Sequence, residues 1–262
     1  MGLRVGVFGA GGRMGSTVCR AVEADPDLEL VAAVDPHHAG LDVRQVTGVN
    51  ADWQLAADGQ AFLDQQVEVV IDFTILDAAR TNLLWLARQG IHAVAGTTGF
   101  SEDDYARFER AFTSSNCVVA PNFAIGAVLM MRFAELAAPY FETAEIIELH
   151  HDQKLDAPSG TAMLTAERMA AASATWAPDP TQTTVVDGAR GGEGPAGIHL
   201  HSLRLRGLVA HQEVLLGTTG QTLSLRHDSY DRDSFMPGVV LATKAVADRP
   251  GLTVGLDTLL DL

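Results

Sequence analysis

The chain has 262 residues, enough for one large domain or two modest ones with substantial cores, and 47% of them are apolar, as in an ordinary globular protein. A formal charge of −15 at pH 7 removes the basic footprint that DNA, RNA or an anionic membrane requires, but leaves room for a small anionic ligand on a local positive island. No apolar stretch reaches membrane-spanning length, no signal-peptide pattern is seen, and two cysteines, Cys19 and Cys117, read as buried thiols rather than a disulfide framework. A cytoplasmic protein is expected.

In chain order, Leu3–Phe8 is a short apolar strand that runs into G-A-G-G-R-M-G (Gly9, Ala10, Gly11, Gly12, Arg13, Met14, Gly15) and then a helical stretch to about Ala24. Strand, glycine turn and helix together point to a dinucleotide pyrophosphate held at a helix N-terminus, although the third glycine falls one place later than in strict G-x-G-x-x-G. The next strand, Leu28–Val34, ends at Asp35, where a carboxylate can accept hydrogen bonds from an adenosine ribose or can simply begin a turn. Because Pro36-His37-His38 follow it rather than Arg or Lys, a free ribose is favoured over a 2′-phosphate, and NADH is expected to serve at least as well as NADPH, with Arg13 a partial substitute for the missing cation. Residues 39–66 are weakly patterned. Strands at 67–73, 91–95 and 117–120 then alternate with helices at 76–88 and 101–114, the rhythm of a doubly wound parallel sheet whose ligands bind beyond the strands' carboxyl ends. Phe73-Thr74, Gly96-Thr97-Thr98 and Ala120-Pro121-Asn122-Phe123 all fall at such ends.

From Ile125 the pattern changes. A long apolar helix, 125–141, leads to a strand and then to residues 148–162, E-L-H-H-D-Q-K-L-D-A-P-S-G-T-A. Only two lysines, Lys154 and Lys244, stand among sixteen arginines, so a lysine at 154 suggests a group that can release a proton, which Arg cannot. His150 and His151 can serve one ligand only if the strand ends there. Ser159 is a good N-cap, and Gly160 and Thr161 would offer backbone N–H groups to a carboxylate. The plain alternative is two surface histidines beside an ordinary helix start. Further on, a connector at 176–183 and a glycine-rich loop at 188–197 precede three alternating runs, 198–206, 209–216 and 221–228, read as an antiparallel sheet with a hairpin at Thr218-Thr219-Gly220. His199, His201, His211 and His227 raise a metal site, which the absence of Cys or Glu-x-x-His companions disfavours; no metal is expected. Arg204 is a candidate for holding a carboxylate.

The motif E-L-H-H-x-x-K-x-D-A-P-S-G-T-A, with A-P-N-F at 120–123 and the N-terminal glycine motif, resembles dihydrodipicolinate reductase, also called 4-hydroxy-tetrahydrodipicolinate reductase, of the diaminopimelate/lysine pathway. The resemblance runs over essentially the whole chain. It implies an α/β protein: an N-terminal Rossmann-like doubly wound parallel sheet in residues 1–123, completed by 237–262, plus a C-terminal α+β domain, 124–236, with a mainly antiparallel sheet for substrate binding and oligomerisation. It further implies NADH or NADPH as cofactor, a small dicarboxylate substrate, and a homotetramer formed through the second sheet. By resemblance His150 is the proton donor, Lys154 a second proton donor, and His151, Gly160 and Thr161 hold substrate. Gly96–Thr98 and Ala120–Phe123 join residues 9–14 and Asp35 at the cofactor. Hinges are expected near 122–126 and 235–238. The rivals are another two-domain NAD(P)-dependent reductase of amino-acid metabolism, and a non-catalytic nucleotide-sensing protein, which would have no need of His150, His151 and Lys154.

Overall fold

The structure is a computed structural model and describes residues 2–260. The chain divides into two compact units, Met1–Ile125 with Phe235–Leu262, and Gly126–Ser234.

The first unit holds six parallel strands: β1 (Leu3–Phe8), β2 (Leu28–Val34), β3 (Val69–Asp72), β4 (His92–Ala95), β5 (Cys117–Val119) and the late strand at Leu252–Val254, in the order Leu252–Val254, β5, β4, β3, β1, β2. Every strand-to-strand connection from β1 to β5 is a crossover carrying helix: α1 (Arg13–Ala24), the short α2 (Val43–Thr47) and α3 (Gln60–Asp64), α4 (Leu76–Gln89) and α5 (Glu102–Ala111). Parallel strands need such crossovers, and helices on the sheet explain why β3, β4 and β5 read as near-continuous apolar runs. The core they close includes Phe8, Phe62, Val70, Leu83, Leu86, Phe108 and Phe112, with Phe8 and Phe62 in edge-to-face contact at 4.7 Å. Two glycines are imposed by this packing. A Cβ at Gly15 would stand 2.0 Å from the Gly9 carbonyl oxygen, and one at Gly96 would stand 2.1 Å from the Phe73 ring.

The second unit opens with α6 (Ile125–Ala137), which is shorter than the 125–141 helix expected from sequence. The reason is Pro139: without an N–H, and with its ring against the preceding turn, it cannot continue an α-helix, and Ala138–Tyr140 tightens into a 3₁₀ turn instead. Then follow β6 (Thr143–His150), α7 (Gly160–Ala172), β7 (Gly192–Glu193), β8 (His199–Arg204), β9 (Ala210–Thr218) and β10 (Gln221–Ser229), in the sheet order β10-β9-β6-β8-β7. The sheet is mostly antiparallel, as expected, with β8 running parallel to β6, a pairing that the reading of the three late runs as antiparallel strands did not include. The cause is topological, because the β6–β8 connection carries α7 and so is a crossover rather than a hairpin. Ile146, Leu200, Val214 and Leu216 from the sheet, with Ala162, Ala166 and Met169 from α7, are buried. The chain then enters α8 (Met236–Ala245) and the strand Leu252–Val254, labelled β11 hereafter, which pairs with β5 in the first sheet.

Candidate active site

The first unit gathers the glycine loop and the ends of β2 and β3. Gly9 and Ala10 both donate backbone N–H to the Val34 carbonyl oxygen, at 2.9 and 3.2 Å, and Gly9 has φ +73°, a conformation that suits glycine. Gly12 is the N-cap of α1 and makes no side-chain cap, so the helix start is not taken by a protein side chain and an anion can approach its N–H groups. A cavity of about 580 Å³ is lined here by Gly9, Gly12, Asp35, His37, Asp58, Trp85 and Arg88 among others. Asp35 accepts from Gly11 N at 2.9 Å through Oδ2, and from His37 N and His38 Nδ1 at 3.0 Å through Oδ1. Burial alone would raise its pKa, but these donors outweigh it and hold the carboxyl below its ordinary value. A carboxylate has about four acceptor positions, so Asp35 both braces the loop and retains capacity for a further donor. Glycine at position 11 makes room for the Asp35–His38 pair: a Cβ there would lie 2.2 Å from His38 Nδ1 and 2.8 Å from Asp35 Oδ2, so the His38 ring would have to move.

Met14, Phe73, Thr74, Gly96, Thr97 and Thr98 line a second concavity of about 370 Å³. Thr97 Oγ1 donates to the Thr74 carbonyl at 2.9 Å, and Ala120 N donates to Ala95 O at 3.1 Å, which ties the ends of β3, β4 and β5 into one rim. Phe123 is buried, with its ring centroid 5.8 Å from that of Phe73; Pro121 and Arg13 are exposed; Asn122 Oδ1 accepts from Ala124 N at 2.9 Å. The glycine cradle, the uncapped helix start and the cavity fit a dinucleotide.

The second unit's cluster is built by register. Glu148 pairs with Ser202 and His150 with Arg204 across β6 and β8, so these four side chains share the sheet face that carries buried Ile146 and meets α7. Glu148 is fully buried. Its Oε1 accepts from Arg204 at 2.7 Å and from Ser159 N at 3.2 Å; its Oε2 accepts from Arg204 at 2.8 Å and lies 2.5 Å from His150 Nδ1. Burial would raise the Glu148 pKa, but hydrogen bonds from Arg204, Ser202 and His150 prevail, so it is ionised. Arg204 therefore holds the protein's own carboxylate, where sequence suggested one belonging to a ligand, and it also donates to the Leu203 and Asp156 carbonyls at 2.8 and 2.7 Å.

β6 ends at His150, as facing two histidines to one ligand requires; His150 is partly buried and His151 is exposed. The chain then turns, with Lys154 N donating to His151 O at 3.2 Å. Lys154 Nζ lies 2.8 Å from both carboxylate oxygens of Asp156. Ser159 caps α7 by accepting from Ala162 N at 3.2 Å, and nothing stands within 4 Å of where a Gly160 Cβ would be, so the helix start is open beside Gly160. Burial lowers the His150 pKa, Glu148 raises it, and Lys154 and Arg204 lower it, leaving it below the ordinary histidine value. A buried acid–base pair, a cation and an open helix start within one loop can protonate a bound anion and hold its carboxylate. His201 instead contacts Glu145 at 2.6 Å and His199 contacts Asp179 at 3.3 Å. Among the described residues no group of three or more His, Cys, Asp or Glu is placed to hold a metal, and no helix is long and apolar enough to cross a membrane.

Two family models cover this chain almost end to end: "Dihydrodipicolinate reductase, N-terminus" over residues 3–123 and "Dihydrodipicolinate reductase, C-terminus" over 126–260. The chain belongs to the dihydrodipicolinate reductase family. The 4-hydroxy-tetrahydrodipicolinate reductases of Mycolicibacterium vanbaalenii and Nocardia farcinica are each 50% identical to it, over 99% and 100% of this chain and the whole of their own length. A solved dipicolinate-bound dihydrodipicolinate reductase from Paenisporosarcina sp. TG-14 superposes with a TM-score of 0.87 at 38% identity, covering 98% of this chain and 99% of that one.

Within this family member, sequence reasoning missed Glu148 as a functional group. The signal was present: a charged residue in the apolar run A-E-I-I-E-L, two places before His150 and therefore on the same strand face. Arg204 is 56 residues away, and its pairing could not be read from spacing.

Proposed function

We propose that this chain catalyses the NAD(P)H-dependent reduction of 4-hydroxy-tetrahydrodipicolinate to tetrahydrodipicolinate in the diaminopimelate/lysine pathway, acting in the cytoplasm. The observation that carries the reading is the His150–Glu148–Arg204 cluster beside Lys154 and the open start of α7, found in a chain 50% identical along its length to reductases of that name. When bound, the reduced nicotinamide supplies a hydride to a ring carbon of the conjugated imine, and the electron pair this displaces comes to rest on nitrogen. Gly9, Gly11, Gly12 and the start of α1 hold its pyrophosphate, Asp35 its adenosine ribose, and the rim of Gly96–Thr98 and Ala120–Phe123 its nicotinamide half, with Arg13 and Met14 flanking.

On the substrate side, Gly160 and Thr161 at the start of α7 grip one carboxylate, and His151, exposed on the loop, contacts the other end. His150 delivers the proton that completes the reduction, and Lys154 is a second proton donor that also gives positive charge where negative charge develops. Two carboxylates, Asp35 and Asp58, line the cavity of the first unit, and Arg88 is the one guanidinium or ammonium among its lining residues. A 2′-phosphate would meet repulsion there, so NADH serves at least as well as NADPH. Ile147, Leu149, Leu203 and Leu215, on the face of the second sheet away from α7, are only partly buried in the single chain. This half-covered apolar face supports a homotetramer assembled through that sheet.

The test is nicotinamide absorbance in a coupled assay, with a separate synthase supplying the cyclic substrate from pyruvate and aspartate semialdehyde. Oxidation of both cofactors is expected. A kcat/KM ratio favouring NADPH by more than about tenfold, some 1.4 kcal/mol, would overturn the role given to Asp35, and oxidation of neither would overturn the assignment.

A further inference from the structure

We propose that Glu148 is the positioning residue of the reaction: one buried carboxylate fixes the tautomer and orientation of His150 and at the same time pins the start of α7 where substrate is held. This rests on the reading of His150 as proton donor. The geometry is convergent. Glu148 has no exposed surface, and its two oxygens are met by groups from three separate elements: His150 on its own strand, Arg204 on β8 and the Ser159 N–H at the entrance of α7. Arg204 extends the knot by donating to the Asp156 carbonyl, two residues after Lys154, whose ammonium is paired with the Asp156 side chain. The proton donor, the lysine loop and the helix start are thus fastened to a single anion.

Two consequences follow for the chemistry. A carboxylate only accepts, so the nitrogen of His150 facing it carries hydrogen: Nδ1–H donates to Glu148 Oε2, and Nε2 is left to face substrate. In the imidazolium, the Nε2–H bond breaks toward substrate, its electron pair stays on nitrogen, and neutral imidazole remains with its proton on Nδ1. The orientation is the same before and after transfer, so no ring flip is needed between turnovers. In addition, the negative charge stabilises the imidazolium. The charged groups around His150 are Glu148 on β6, Lys154 and Asp156 on the following loop, and Arg204 on β8; β9 presents Ala210 and Gln212 opposite, both neutral, and α7 presents Ser159. Glu148 is the group in direct hydrogen-bond contact that favours the charged form, against burial and two cations.

The test compares Glu148→Gln, His150→Gln and wild type. Glu148→Gln keeps the size of the side chain but removes its charge, so the pKa of His150 falls and the protonated donor is lost at lower pH. The alkaline limb of the kcat profile should move down by about one pH unit or more, with kcat reduced and KM for the nicotinamide cofactor unchanged. A purely structural loss would lower activity without moving the limb. Should Glu148→Gln fail to fold, wild type labelled with ¹⁵N-histidine decides the matter. The imidazole resonances absent from His150→Gln belong to His150, and above its pKa they should report hydrogen on Nδ1 and a bare Nε2. An Nε2–H tautomer, or an alkaline limb unmoved in Glu148→Gln while His150→Gln loses turnover, overturns the positioning role. Full turnover in His150→Gln overturns instead the reading of His150 on which it rests.

Discussion

Asp104 shows how much a single side chain can hold. It completes a capping box with Ser101 at the start of α5, its Oδ2 accepting from Ser101 N at 2.9 Å, and takes two more hydrogen bonds from Arg80 Nε and Nη2 at 2.9 Å. Arg80 is the main cause of a carboxyl pKa lowered to about 2. Because the folded pKa lies below the unfolded value near 3.8, the stability it contributes is complete above about pH 4 and is lost as pH falls toward 2. Urea midpoints measured between pH 6 and pH 2 should therefore fall less steeply for Asp104→Asn than for wild type; equal slopes would contradict this. Ser101 stands directly before the acidic run Glu102-Asp103-Asp104, a place that favours a cap, whereas Arg80 lies 24 residues from Asp104 on another helix and spacing does not pair them. Gly15 repeats the lesson from the other side. Its displacement from the strict glycine spacing looked like a weakness in the motif, yet the Gly9 carbonyl leaves no room for a Cβ at that position.

Among the elements, those with a strong local signature were readable. The glycine turn between β1 and α1, the alternation of strand and helix up to β5, and the strand that ends at His150 all follow from apolar period and turn chemistry. What escaped is decided by long-range partners or by one residue overriding a pattern: the parallel pairing of β8 with β6, and the end of α6 before Pro139. The second sheet's outward face gives the prediction proper to this scale. Ile147 and Leu215 lie on that face of neighbouring strands and are incompletely covered. Light scattering of the wild type should give about four times the 27.8 kDa chain mass, and Ile147→Lys should give smaller species. A monomeric wild type would contradict assembly through this sheet.

For the molecule as a whole, the proposed chemistry divides between two units: one with the glycine loop and Asp35, to which the dinucleotide is assigned, and one with the His150–Glu148 pair and the open start of α7, to which the proton chemistry and the substrate carboxylate are assigned. The fold and the residues of both clusters were legible in motifs, and the apolar run around Glu148 carried a signal for it; what spacing could not give is that Glu148 joins His150, Arg204 and the Ser159 N–H. The proton chemistry is proposed to lie in the second unit's loop. The most direct measurement is turnover of Lys154→Ala in the coupled assay, together with its affinity for NADH by fluorescence. Turnover should drop on the order of a hundredfold or more, with NADH affinity within about twofold of wild type, since the lysine belongs to the unit that does not carry the glycine cradle. Wild-type turnover in Lys154→Ala would contradict the account.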